Sequence, residues 1–310
     1  MNMLRKALDR LVKSNDLKII YVAIFIIVSA QIGFALNFEN SNAMAIWPPV
    51  GVAFALVLLL GDKIWPGIVI GGFITYSISF INQEIVISVS SIASISIITI
   101  GVVFEVLVGF YLYRYLIKEG NPYDKTANAF KFLIISLTVC LIGAATYTGS
   151  LSMIGAIEKE GMVQIFINSY LGSVAGLLLF TNVIIAWVKG KTHWTYSIGN
   201  VLEALAFTGS IIAILYFLKS NSLPLSFERS FSFLIIPFLL WAAFSVNIQI
   251  AISFVVLISL FSLYITKLGS GPFLLENPQD TMFLLQIFIG VITISTIILS
   301  ASVFERTEAK

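Results

Sequence analysis

The stretch Ile19-Ile20-Tyr21-Val22-Ala23-Ile24-Phe25-Ile26-Ile27-Val28-Ser29-Ala30-Gln31-Ile32-Gly33-Phe34-Ala35-Leu36 decides the class of fold. A basic segment with Arg5, Lys6, Arg10, Lys13 and Lys18 precedes it, and Ala43-Met44-Ala45 follows with the look of a cleavage site. Those are the parts of a signal peptide. The apolar run is 18 residues, however, longer than the about 7–15 of a signal-peptide core. More apolar segments follow at once, so the run reads as an uncleaved first transmembrane helix.

The rest of the chain repeats the pattern. Of 310 residues, 58% are hydrophobic and 11% charged, where a soluble domain carries about 25% charged residues. Mean hydropathy is +0.99. Soluble-enzyme folds are excluded, and the chain reads as a polytopic membrane protein in contact with lipid. Apolar segments fall at 17–36, 45–60, 65–81, 85–117, 127–154, 163–188, 198–218, 230–246, 248–268 and 281–304. Each is far longer than the roughly 10-residue alternating strand of a membrane barrel, so the spans are helices and the fold is all-α. No long linker, low-complexity tract or obvious repeat interrupts them, and residues 1–310 read as one domain with a cytoplasmic segment at 1–16.

Lysine and arginine set the expected orientation. With a cytoplasmic N-terminus and alternating spans, the inner side holds Arg5, Lys6, Arg10, Lys13, Lys18, Lys63, Arg114, Lys118, Lys125, Lys131, Lys189, Lys191, Arg306 and Lys310. The outer side holds Lys159, Lys219, Arg229 and Lys267, a ratio of 14 to 4. Positive-inside bias then places both termini in the cytoplasm. The second and third segments are short and each opens with proline. At 1.5 Å per residue, 15 residues cover only ~22 Å of a ~30 Å core. Two arrangements stay open: ten spans, or eight full spans plus a short Trp-Pro helical hairpin. The hairpin is expected to pack as a compact pair through Gly51, Gly67, Gly71 and Gly72.

Net charge is +2, too small for a nucleic-acid binder. One cysteine, Cys140, and one histidine, His193, exclude an internal disulfide, a Cys/His zinc site and a bis-histidine haem. No metal or cofactor is expected, and no nucleophile–base pair marks an enzyme. His193 lies in a basic loop with Lys189, Lys191 and Trp194, where it reads as an interfacial polar residue rather than a phospho-acceptor.

Of 16 acids, only Glu105 and Glu203 fall inside apolar segments away from their edges, and Glu203 lies close enough to reach the interface. Glu105 shares a helical face with Ser91, Ser94, Ile98, Gly101 and Gly109 by steps of three and four. That small, polar stripe should face the bundle interior. An ionised carboxyl there costs at least ~2.5 kcal/mol unless protonated or paired. A functional acid and a hydrogen-bonded structural residue both remain open for it. A second small-polar stripe runs through Asn168 or Ser169, Gly172, Ser173 and Gly176, with Asn182 further on. It reads first as helix-packing glue and second as a wall of a ligand site. The candidate ligand or signal residues are therefore Glu105, Trp47, Ser173, Asn182 and Ser94.

The most distinctive local motif is Trp47-Pro48-Pro49-Val50-Gly51, followed by Gly61-Asp62-Lys63-Ile64-Trp65-Pro66-Gly67. Proline fits a first helical turn, where no N–H is needed, and tryptophan suits the membrane interface. On chemistry alone the motif reads as two anchored helix starts. Together with Gly71, it resembles the membrane-associated sensor domain of the first MASE class. Four further pieces match in order: Glu105 in a helix ending Tyr113-Arg114-Tyr115-Leu116, then Gly172-Ser173-Val174-Ala175-Gly176, then Gly269-Ser270-Gly271-Pro272-Phe273, then Leu284-Leu285-Gln286 opening a helix that ends Glu305-Arg306. This chain departs from the family pattern at Ser173, where the family has Asp, and at Asn182, where it has Pro.

The resemblance implies a sensory input module of the bacterial inner membrane with about eight spans, placed before a histidine kinase, a diguanylate cyclase or a cyclic-di-GMP phosphodiesterase. It implies a signal from a small ligand or from another membrane protein, and a homodimer in the full-length signalling protein. No ATP-binding box or soluble catalytic segment stands in the chain, so the output domain is expected to be absent, with residues 305–310 starting the signalling helix. The alternative from another class is a small-molecule transporter with a midplane site near Glu105.

Overall fold

The computed structural model describes residues 15–38, 44–118, 120–189, 209 and 248–308. The expected segments at 198–218 (Gly209 apart) and 230–246, and with them His193 and Glu203, lie outside the described residues. Eight α-helices and no strand are found among the described residues: α1 Asn15–Ala35, α2 Pro48–Leu60, α3 Trp65–Asn82, α4 Val89–Leu116, α5 Thr126–Met153, α6 Met162–Lys189, α7 Ile248–Lys267 and α8 Pro278–Glu308. All but α2 belong to stretches long and apolar enough to cross a membrane. The chain is a multi-pass helical membrane protein.

The helices alternate in direction, and contacts at their ends sort the connections into two poles. At one, Tyr111 Oη donates to Asp62 Oδ2 at 2.7 Å, Lys131 Nζ donates to Leu116 O at 2.9 Å, and Lys189 Nζ donates to Leu58 O at 3.5 Å. This pole carries Lys18, Lys63, Arg114, Lys118, Lys125, Lys131, Lys189 and Arg306. At the other, Lys267 Nζ donates to Ala35 O at 2.8 Å. Among the described residues, this second pole has Lys159 and Lys267 against Glu84, Glu158, Glu160, Glu276 and Asp280. One pole is basic and the other acidic.

Helix α2 is the exception that organises the site. Its 13 residues span only ~20 Å. Pro48 and Pro49 occupy its first turn, and nine of its residues are buried, as a helix apolar all round must be. It packs on α1, α4 and α6. Because it ends at the basic pole, it begins inside the bundle. Trp47 N donates to Gly172 O at 2.9 Å, and Gly172 lies ~15 Å along α6 from its first residue. Residues 44–47 therefore run without helical structure at membrane depth. Such backbone is tolerated only where protein or a cavity surrounds it.

This corrects the compact Trp-Pro hairpin. Helices α2 and α3 hardly touch each other. Their glycines serve other partners: Gly51 meets Gly176 of α6, Gly67 and Gly71 meet the α1 backbone at Ile19 and Ala23, and Gly72 meets Thr99 of α4. The glycines do permit close approach, but beyond Gly61 and the 3-10 turn Asp62–Ile64 the two helices part, α2 packing mainly on α6 and α3 mainly on α1.

The buried side chains form two apolar clusters that α6 joins. Phe54, Phe80, Ile98 and Phe132 centre one, on α2 to α5, with Leu177 and Leu178 from α6. Ile252, Val255, Leu285 and Ile289 centre the other, on α7 and α8, with Ala175 and Leu179 from α6. The Gly269–Phe273 turn joins α7 to α8. Gly269 and Gly271 take φ of +76° and +95°, which glycine adopts without strain, and Phe273 packs on Phe288 at 4.5 Å between ring centroids.

Candidate functional site

Ser91, Ser94, Ile98, Gly101, Glu105 and Gly109 of α4 are all buried. Gly101 and Gly109 admit Thr146 and the Phe54 ring, which draws α5 and α2 onto this face. Glu105 is only 1% exposed. Its carboxyl fits the space left by the missing side chain of Gly143 on α5, beside the buried Cys140 thiol. Oε1 has no hydrogen-bond partner. Arg114 does not reach it; its guanidinium lies 5.6 Å over the Phe110 ring.

Oε1 is an unpartnered oxygen beside a cavity of about 40 Å³. Glu105, Val102 and Gly143 border it near mid-bundle, and Tyr76, Ser79, Tyr147, Ser169 and Ser173 continue the lining with Met44 and Trp47. An aromatic row follows one side. Phe34 and Trp47 ring centroids are 5.9 Å apart, Trp47 and Tyr76 5.7 Å, and Tyr76 and Tyr147 6.3 Å. The Trp47 indole hydrogen-bonds Tyr76. Gln83 Nε2 donates to Ser79 Oγ at 2.9 Å and its side chain also bonds Tyr147. Ser169 Oγ, like Glu105 Oε1, is buried without a partner. The described lining contains no Lys, Arg or His. Among the described residues no cluster of His, Cys, Asp and Glu is grouped to hold a metal.

Of the five candidates, Glu105, Trp47 and Ser173 meet at this cavity. Ser94 and Asn182 are buried outside its lining. Asn182 Nδ2 donates to Leu178 O within α6, toward the basic pole. The interface role expected for Trp47 is also corrected. Its ring lies inside the bundle because the helix it precedes is too short to place it at the surface. Trp65, by contrast, is half exposed at the basic pole.

The remaining motif residues build the frame. Trp47 N is bound by Gly172 O. A side chain at Gly176 would overlap the Trp47 backbone, and one at Gly172 would overlap the Met44 carbonyl. Thr181 Oγ1 donates to Gly51 O at 3.0 Å.

Tyr76 and Tyr147 are site residues that sequence reasoning missed, and Ser169 and Gln286, visible in the second stripe and the last motif, were not singled out as site residues. Tyr76, Ser79 and Gln83 do share one face of α3 at helical spacing, a stripe readable in principle. Gln286 ties the site to the last helix. Its Nε2 donates to Asn168 O at 2.9 Å and to Met44 O at 3.4 Å, so α8 grips both α6 and the non-helical segment. At the far end of α8, Glu305 Oε2 accepts from Thr126 N at 3.1 Å and Thr126 Oγ1 at 2.9 Å. Thr126 begins α5, the helix that carries Gly143 and Tyr147 into the cavity.

Compared with known proteins, residues 18–307 match the MASE1 family model. No curated protein and no solved structure matches the chain significantly.

Proposed function

The chain belongs to the MASE1 family of membrane-associated sensor domains, a sensory input domain of the membrane, and from that premise we propose how it senses and signals. The cavity around Glu105, Trp47 and Ser173 receives the signal, a small ligand or the contact of a membrane partner. The change leaves through α8 to a cytoplasmic kinase or cyclic-di-GMP output. The basic pole faces the cytoplasm of a bacterial inner membrane, in keeping with positive-inside bias, and the full signalling protein works as a homodimer.

One observation carries this reading: Gln286 of α8 is bonded to Met44 O, in the same segment that sets Trp47 at the cavity. Helix α8 then runs unbroken to Glu308, with no Gly or Pro after residue 290 and with the good helix formers Glu305, Arg306 and Glu308 at its end. A rigid helix transmits piston, tilt or rotation, which a flexible linker would lose. The cavity and the exit helix are joined twice, by Gln286 near one end and through α5 and Glu305 at the other.

The test is phase insertion. A cyclase or kinase output is fused after Lys310, and one to seven helix-forming residues are added at the junction. Activity should rise and fall with helical phase and recover near about seven residues, two turns of helix. A smooth response would mean that α8 is only an anchor. The half-length α2 and the mid-bundle acid also fit a transporter, whose sites are built from broken helices. Solute counterflow in proteoliposomes containing the full chain would favour that second reading.

A further inference from the structure

The cavity chemistry selects a charge type. Its wall holds one acid and three aromatic rings, and its described lining has no basic group. Glu105 Oε1 is buried and lacks a partner, so a carboxylate there has no counter-charge from the protein. An anion would meet that oxygen with nothing to offset it. A neutral guest would leave the charge uncompensated. A cation supplies both the missing hydrogen-bond donor and the missing charge, and aromatic faces stabilise it further.

Two other features agree. The lining residues of α3, α5 and α6 sit in the halves of those helices nearest the acidic pole, where described acids outnumber lysines. Clefts approached through one sign of charge concentrate the opposite ion. The size is also restrictive. A dry cavity of about 150 Å³ admits benzene, and this one is about 40 Å³. It has room for an ammonium group carrying a single carbon, not for a longer stem or a bulky quaternary head.

We propose that the cavity binds a small organic cation of methylammonium size, with its ammonium head donating to Glu105 Oε1 and its methyl group lying among the rings of Trp47, Tyr76 and Tyr147. This rests on the reading that the cavity is the signal site. Ser169 Oγ, also without a partner, offers a second acceptor for the ammonium protons. Gly143 keeps the carboxyl in place, because a side chain there would overlap Glu105 Oε2.

The full chain in lipid nanodiscs is titrated with methylammonium, with methanol as its neutral analogue and with formate as its anionic one. Binding is read by calorimetry and by the thermal unfolding midpoint. Methylammonium should bind at millimolar concentration or below and raise the midpoint, while methanol and formate should not. Glu105→Gln should weaken methylammonium at least tenfold, and Tyr147→Leu severalfold. If Glu105→Gln fails to fold, Gly143→Ala replaces it and should weaken binding by displacing the carboxyl. The proposal is overturned if methylammonium does not bind the wild-type chain, if methanol binds as tightly, or if the folded Glu105 or Gly143 variant binds it unchanged. Binding of methanol or formate that depends on Tyr147 but not on Glu105 would reject the cation and leave the cavity as the signal site. A fused output that ignores every cavity substitution would reject the signal site itself.

Discussion

The backbone of Trp47 lies in a seam with α6, and its ring lies on a cavity with an unpartnered carboxyl oxygen. In the seam, Gly51, Gly172 and Gly176 bring main chains together with no room for a side chain, and Trp47 N and Gly51 O both have partners. Among the cavity residues the reverse holds: Glu105 Oε1 and Ser169 Oγ are buried without partners, and space remains beside them. Close-packed, satisfied contacts resist change, whereas a void with unsatisfied polar atoms can be completed by a guest. The seam therefore fixes the position of the segment, and the cavity gives it something to report.

The largest effect should come from filling the seam. Gly176→Leu would drive a side chain into the Trp47 backbone, which cannot move without unseating α2. A loss of about 3 kcal/mol or more is expected, at or above the top of the usual overpacking range. It would be read as a collapse of folded yield and of the unfolding midpoint. Gly71→Leu should also harm folding, since a Cβ there already lies 2.9 Å from Ala23 O. Gly149→Ala is the contrast, with nothing within 4 Å of its added carbon, and should be harmless. Equal tolerance at residues 176 and 149 would break the distinction between seam and open surface.

These two regions were not equally legible in the sequence. The glycines and prolines of the seam stand out because their backbone uses are few. What they do not encode is the partner, and so the hairpin was expected to close on itself while Gly51 in fact meets α6. Glu105 was legible because an acid is rare in an apolar helix. Its surroundings were not. Tyr76 and Tyr147 are ordinary amphipathic residues in their own helices, and only tertiary packing sets them beside Trp47. Gln286 was visible as a motif residue, but its partners, Asn168 and Met44, lie far away in the chain.

The second effect should be on signalling without loss of fold. Glu105→Gln keeps shape and hydrogen bonding but cannot ionise. In a fusion with a reporter output, it should reduce the response to signal about tenfold while the unfolding midpoint moves little. If the carboxyl served only as a neutral hydrogen-bonding group, Gln would signal normally and Leu alone would be harmful. That result would turn the cavity into an extension of the seam.

A smaller effect is expected at the join between the regions. Gln286→Leu removes two hydrogen bonds that tie α8 to Asn168 O and Met44 O, and it also removes Oε1, which has no partner. Losing neutral bonds of this kind costs about 1 kcal/mol each, partly offset by the apolar replacement. The chain should stay folded, retain its cavity and show a severalfold weaker response. Normal signalling by a folded Leu variant would mean that the signal reaches α8 by another contact.

The smallest effect should be at Glu305, which is exposed and accepts both Thr126 bonds at the basic pole. An acid beside the first turn of α5 is favoured by the helix dipole, but exposure and salt weaken that attraction. Glu305→Gln should leave stability nearly unchanged and shift only the basal output of a fused reporter, by less than Gln286→Leu shifts its response. Raising the salt concentration on the membrane vesicles should shrink the difference between wild type and Glu305→Gln, because the charge is screened. It should change the Glu105 phenotype less, since a buried charge is screened less than an exposed one. A Glu105 effect that faded equally with salt would contradict an interior site and would place both acids in the same aqueous environment.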